Sequence, residues 1–451
     1  MSADYRTNDL TEGAVGRKLL RFFFPIFFGL LFQQLYNTAD AFIVGRFVGD
    51  SALAAVGGST ASITNLLIGF FTGLNTGATV LIGQRAGARD DAGLSRMLHT
   101  AVLFCALLGL GITVLGLWAT PAMLRLLDTP EDIMADSVLY LRIYLIGAAP
   151  LLLYNLLQGT LQGLGDSRRP LIYLVISCLL NIALDLLFVA VLKLGVAGAG
   201  IASVISMVVC FALALVYMLR AKGPERLRLS RLRLERVSLR HMLRVGLPAA
   251  LQGTMFNLSN VIITAVINGF GTAVVTAWTA TGKLDGFYWV TSSAFGVAIC
   301  SFVAQCYGAQ KPERMKQGIR LWLIICLVIT VGFSVTLLAL ARPVYRLFLS
   351  DESTIDLTLE IMRFFVPYYF IWTFVELLSG VFRGTGDTMR PMIISLLGTC
   401  ALRVVWVLTV VPRYHTLKAV CLVYIVSWVV TAAGYGAHYL RGGWSAYRVK
   451  E

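Results

Sequence analysis

Apolar runs recur from one end of the 451-residue chain to the other, separated by short polar segments. Most of them exceed the roughly 20 residues that a helix needs to cross a ~30 Å hydrocarbon core. The pattern predicts an all-α polytopic membrane protein. We expect twelve membrane-spanning helices, at residues 17–46, 53–82, 95–119, 136–162, 169–192, 196–220, 241–267, 273–306, 317–341, 357–382, 391–411 and 418–440.

Composition supports this fold class. The chain is 57% hydrophobic and 14% charged, whereas soluble domains carry roughly 25% charged residues. So few charges do not cover the surface of two or three soluble domains. The first twenty residues contain acids and no cleavage site after an apolar segment, so we expect no secretory signal peptide and a retained first span.

The net charge of +14 is distributed unevenly between the two sides of the membrane. If the N-terminus is cytoplasmic, most of the 38 lysines and arginines fall on the cytoplasmic side, as the positive-inside rule requires. This predicts that both termini are cytoplasmic. The basic segment 220–240 then lies at an anionic lipid surface. We therefore expect the bilayer, and no nucleic acid, as the partner of these charges.

The chain contains an internal repeat. “QGLGDSRRP” at 162–170 matches “RGTGDTMRP” at 383–391, which lies 221 residues later, and “YNTADAFI” at 36–43 matches “FNLSNVII” at 256–263. We predict two pseudo-symmetric six-helix lobes, at residues 1–219 and 241–451, joined by the linker 220–240. Because six spans return each lobe to the same orientation, the symmetry axis runs along the membrane normal, as in parallel-repeat transporters. We expect a monomer.

Two aspartates belong to the first lobe alone, because Asp40 aligns with Asn260 and Asp185 aligns with Trp406. A carboxylate at mid-membrane depth costs several kcal/mol unless it is paired, protonated or hydrated. Asp185 shares a helix face with Asn181, four residues earlier, and Ser203 adds a hydroxyl. These oxygens suit either H⁺ or Na⁺, and both ions stay open. The bland alternative is a hydrogen-bonded pair that only packs the lobe.

Further polar residues within the spans are candidates for a substrate cavity. Gln33, Tyr36 and Asn37 follow one face of the first span, and Asn155 and Gln158 follow one face of the fourth. Lys283 and Asp285 are candidate substrate or gating groups. Glu376 aligns with Asn155, and we expect it to face the cavity as an ion pair with Arg403. Pro25 is the expected hinge of the first span.

Other chemistry lacks a motif. The eight cysteines lie in apolar spans without a CxxC pair, the four histidines form no metal-ligand cluster, and no Walker loop is present. We expect no cofactor other than the ion.

“YNTADAFIVGRFVGDSALAAVG” at 36–57, “QGTLQGLGDSRRP” at 158–170 and “LNIALDLLFV” at 180–189 resemble the multidrug and toxic compound extrusion (MATE) family, of the multidrug/oligosaccharidyl-lipid/polysaccharide (MOP) superfamily. The resemblance covers nearly the whole chain. It implies an antiporter that exports organic, often cationic, compounds in exchange for H⁺ or Na⁺, located in a bacterial inner membrane. Within the family the chain resembles the DNA-damage-inducible (DinF-like) subgroup, whose cation site corresponds to Asp40, Asn181, Asp185 and, in place of a threonine, Ser203.

Two other function classes compete with a drug or metabolite antiporter. A lipid-linked oligosaccharide flippase shares the superfamily fold, but its cavity favours many lysines and arginines for pyrophosphate. Here the spans offer only Lys283 and Arg403. A membrane-embedded enzyme needs a nucleophile, a metal or a paired-acid constellation within reach of the interface, and the sequence offers none.

Overall fold

The computed structural model describes residues 9–347, 349 and 351–444, which form helices and no strand. The helices are α1 (Val15–Phe47), α2 (Asp50–Gly57), α3 (Ser59–Gly87), α4 (Asp91–Leu126), α5 (Glu131–Ile146), α6 (Ala148–Gly163), α7 (Arg168–Asp185), α8 (Gly195–Arg220), α9 (Arg236–Asn268), α10 (Thr272–Gly308), α11 (Pro312–Tyr345), α12 (Glu352–Phe365), α13 (Tyr369–Thr385), α14 (Met389–Ser395), α15 (Leu402–Thr409), α16 (Val411–Tyr414) and α17 (Leu417–Leu440).

Eleven stretches of described helix are long and apolar enough to span a membrane, and the bent pair α5–α6 makes twelve. The bend of 46° lies at Gly147. Pro150 follows three residues later and has no N–H to donate to the carbonyl of Ile146, the last residue of α5, which explains a break at this point. The predicted all-α fold with twelve spans is confirmed. The chain ends, whose cytoplasmic placement the charges predict, lie outside the described residues.

The sequence repeat is also visible in the backbone. Gly165 and Gly386, equivalent glycines of the two matching loops, have φ angles of 85° and 87°. This left-handed conformation strains any residue with a Cβ. The aspartate that follows is buried in both loops. Asp166 accepts the backbone N–H groups of Arg168 and Arg169, and each half therefore starts its next helix from the same turn.

The helices form two compact units, which we call the N-unit (residues 24–247) and the C-unit (residues 10–23 and 248 onwards). The sequence-based division at 1–219, 220–240 and 241–451 differs at two places. The linker and the start of α9 pack in the N-unit, where a Cβ on Gly246 would lie 2.4 Å from the carbonyl oxygen of Leu74. The start of α1 packs in the C-unit, where Phe23 stacks on Phe295 at 5.2 Å.

Equivalent helices pack together in each unit. α3 packs on α6 in the N-unit, and α10 packs on α13 in the C-unit. In the N-unit a buried apolar cluster joins α1, α2, α5 and α8, with Val44, Tyr140 and Ala199 among its members. This cluster fixes the lower-exposure face of α1, and that face carries Asp40.

Candidate functional site

The N-unit brings the two predicted aspartates together, although they are 145 residues apart in the sequence. Asp40 comes from α1 and Asp185 is the last residue of α7. Their side-chain carboxyl groups lie within hydrogen-bonding reach of each other. Asp185 is fully buried and Asp40 is 8% exposed. Both acids therefore lie in the protein interior rather than in a water-filled groove.

No described side chain or backbone group donates a hydrogen bond to the inner oxygens of this pair. Oδ1 of Asp40 and both carboxyl oxygens of Asp185 are buried without a partner, and so is the side-chain amide of Asn181. None of the ion pairs among the described residues includes either acid. Two unpaired carboxylates in contact repel each other, so the arrangement favours a proton shared between them or a cation bound by them.

Tyr36 and Ser203 form the polar edge of the site. The Tyr36 hydroxyl donates to Oγ of Ser203 at 3.0 Å, which links α1 to α8. Tyr36 lies one helical turn before Asp40, so this bond orients the helix face that carries the acid. The structure thus joins Ser203 to the first span through Tyr36.

Two further tyrosines, Tyr140 and Tyr144, were missed from the sequence. Both belong to α5, and their rings stack at 6.2 Å. Tyr140 is buried in the cluster that holds Ile43, three residues after Asp40. Their spacing of four residues in “YLRIY” was the available signal, but an aromatic pair in a span more often indicates packing or an interfacial belt.

A π-helical turn, Leu186–Val191, begins directly after Asp185. Such turns are rare and occur frequently at functional sites, where the wider ring shifts the direction of side chains. The segment “LLFVAV” contains neither glycine nor proline, so the sequence gave no sign of it.

The other predicted N-unit residues lie apart from the acid pair in their environment. Gln33 and Asn37 are exposed on α1, and Asn155 and Gln158 are half-buried on α6. Pro25 lies inside α1, which is continuous from Val15 to Phe47. A hinge at Pro25 stays a prediction.

In the C-unit, the expected ion pair between Glu376 and Arg403 is wrong. Glu376 accepts from Arg383 at 2.8 Å instead. Both belong to α13 and are seven residues apart, so two helical turns place them on one face. The charge of Glu376 is therefore neutralised within its own helix.

The remaining two candidates differ in their surroundings. Asp285 is half-buried and accepts a hydrogen bond from the Tyr369 hydroxyl. It lines a C-unit pocket of about 410 Å³, whereas Lys283, two residues earlier, is exposed. The described residues contain no cluster of three or more histidines, cysteines or acids that is suited to a metal ion.

The MatE family model matches residues 25–187 and, a second time, residues 248–409. This chain belongs to the MATE family. Each match covers most of one half, so the family model repeats where the sequence repeats. Membership confirms the prediction of a multi-pass membrane transporter rather than an enzyme.

Relatives and solved structures agree with this MATE assignment. The chain is 28% identical over 397 residues to the “Probable multidrug resistance protein YoeA” of Bacillus subtilis, with 86% of each chain covered. It is 26% identical over 354 residues to the “FAD transporter” of Shewanella oneidensis, with 77% of each covered. A structure described as an “Outward-facing conformation of a multidrug resistance MATE family transporter of the MOP superfamily” has a TM-score of 0.90 and 24% identity. It covers 98% of this chain and 99% of that one, which establishes the shared fold.

Proposed function

We propose that this MATE-family chain exports organic solutes in exchange for H⁺ or Na⁺ that binds at Asp40 and Asp185. The observation that carries the proposal is the buried acid pair, whose three inner carboxyl oxygens have no donor. A group that binds and releases a cation needs such an uncompensated charge. A pair that only packs helices would be expected to have its hydrogen bonds satisfied.

The exchange follows from competition between two states of the N-unit. With the cation bound, Asp40 and Asp185 attract each other through it, and α1 and α7 are held together. Without the cation, the two carboxylates repel, and α1 moves away from α7, bending near Pro25. A solute that binds the second state better is released when the cation binds. Alternating access then returns the cation site to the opposite side.

The solutes of this transporter are small organic compounds. Relatives named as multidrug resistance proteins favour drugs or related metabolites. The relative named as an FAD transporter extends the class to aromatic compounds that carry acidic groups. No cofactor beyond the ion is required. We place the chain in a bacterial inner membrane as a monomer, with both termini in the cytoplasm.

The second candidate is a lipid-linked oligosaccharide flippase. It is less well supported, because Lys283 is exposed and Arg403 is the one fully buried arginine among the described residues. A pyrophosphate headgroup calls for several cations together.

Reconstitution in liposomes tests the proposal. A ΔpH and a Na⁺ gradient are imposed separately, and uptake of a fluorescent organic dye is compared between the wild type and Asp185→Asn. We expect one of the two gradients to drive the wild type and neither to drive the variant. Asp136→Asn, an exposed acid on α5, is the matched control and should transport normally. Gradient-driven transport by Asp185→Asn at the wild-type rate would refute the assignment.

A further inference from the structure

The C-unit contains a buried positive charge that no carboxylate neutralises. Arg403 on α15 is 1% exposed. Its Nη1 donates to Oδ1 of Asn260 at 3.0 Å, and its Nε donates to Oγ of Ser427 at 3.1 Å. Its Nη2 is buried without a partner. None of the ion pairs among the described residues includes Arg403.

Neutral neighbours leave this charge incompletely stabilised. The guanidinium carbon lies 4.2 Å from the centre of the Tyr424 ring and 5.5 Å from that of Phe256. A desolvated cation–π contact is worth about 2 kcal/mol, whereas burying an unpaired ion costs several. Structural packing alone gives no reason to place an arginine here, so Arg403 points to an anionic ligand.

A pocket lies next to Arg403. It has a volume of about 410 Å³ and is built entirely from the C-unit. Its lining includes Asn260, Tyr424 and Phe256, which are the three residues that contact the guanidinium. The volume falls in the range of pockets that hold small organic ligands. Arg403 therefore lies directly behind one wall.

A second unpartnered donor belongs to the same wall. Trp428 lines the pocket, is 1% exposed, and its indole Nε1 has no acceptor. Neither the guanidinium nor the indole N–H accepts hydrogen bonds, so both require an acceptor. The N-unit shows the opposite, since its inner carboxyl oxygens lack donors. The repeat places Asn260, the partner of Arg403, at the position of Asp40.

The opposite charge stands elsewhere in the pocket. Asp285 is a lining residue, held by the Tyr369 hydroxyl rather than by Arg403. Between the two charges the lining is aromatic, with Trp278, Trp289 and Phe365. Flat rings suit a planar aromatic ligand, and separated charges of opposite sign suit one that carries both an acidic and a basic group.

We propose that the C-unit pocket binds zwitterionic planar aromatic solutes, with the acidic group received by Arg403 and Trp428 and the basic group by Asp285. This rests on the proposed export of organic solutes and names their class. It also assigns the two units different roles, because the N-unit holds the cation and the C-unit holds the solute.

A matched pair of dyes tests this subsite. The probes are a xanthene dye with a free carboxyl group and its methyl ester, which differ in the acidic group alone. Binding to the purified protein is measured by fluorescence anisotropy. We expect the wild type to prefer the free acid. Arg403→Gln should weaken binding of the acid about tenfold or more, since a hydrogen bond to a charged group is lost, and should leave the ester almost unaffected.

Trp428→Phe keeps the ring and removes only the N–H, so it gives a result even where Arg403→Gln fails to fold. It should reduce the preference for the acid several-fold. Arg346→Gln, an exposed arginine after α11, is the control with no expected effect. An equal loss for both dyes in Arg403→Gln, or an unchanged preference in Trp428→Phe, would overturn the subsite. Gradient-driven transport of the ester by wild type and its loss in Asp185→Asn tests the export function independently of this result.

Discussion

Asp40 and Asp185 place two acidic groups in the interior of one unit, where Asp185 is fully buried and no described group donates to either of its oxygens. At the scale of single residues, this unsatisfied pair distinguishes the N-unit from the C-unit. The equivalent of Asp40 in the C-unit is Asn260, which already accepts from Arg403 at 3.0 Å. One unit lacks a cation partner, and the other carries a permanent one.

The bond between Tyr36 and Ser203 should act as one element of the cation site. Tyr36→Phe and Ser203→Ala each remove it, at a cost of about 1 kcal/mol. We expect each variant to lower the apparent cation affinity roughly fivefold in the transport assay. Because both variants remove the same bond, the double variant should lose little more than either single one. Additive losses would show that the two side chains act separately.

At the scale of helices, close contact between α3 and α9 holds the start of α9 in the N-unit. A Cβ on Gly77 would lie 2.3 Å from the Met242 carbonyl oxygen. We expect Gly77→Ala to force the two backbones apart and to lower the thermal unfolding temperature by several degrees, since overpacking costs about 1–3 kcal/mol. Gly332→Ala is the control, because a Cβ there meets nothing within 4 Å. It should unfold at or slightly above the wild-type temperature. A Gly77→Ala protein as stable as the control would contradict the contact.

The start of α12 depends on pH through its cap. Asp351 accepts from the Ser353 hydroxyl and from the hydroxyl and N–H of Thr354. The Ser353 hydroxyl, followed by the Thr354 groups, lowers the pKa of Asp351 to about 2. A lowered pKa means that the cap stabilises above the unfolded pKa of about 3.9 and is lost as pH falls through about 2.

Hydrogen exchange of the first-turn amides of α12 measures this effect. The wild type should be better protected than Asp351→Ala above pH 4, and the two should converge near pH 2. A difference that persists unchanged down to pH 2 would contradict the cap.

At the scale of the whole molecule, the sequence predicted the number of spans, the repeat and the two acids. Each of these rests on a local signal, such as a long apolar run or a charge inside one. The Glu376–Arg403 pair failed because sequence does not reveal which arginine lies nearer, and Arg383 is two turns along the same helix. The exchange of residues 10–23 and 236–247 between units depends on contacts such as Phe23 with Phe295, which are distant in sequence. The π-helical turn after Asp185 carried no signal in residue type.

The central claim is that binding of the cation and of the solute oppose each other. The most direct measurement counts the H⁺ and Na⁺ released when a saturating organic dye binds the purified protein in detergent. We expect the wild type to release one of these ions in a fixed ratio to bound dye, and Asp185→Asn to bind dye without release. Equal release by Asp185→Asn, or dye binding by the wild type without release of either ion, would contradict the account.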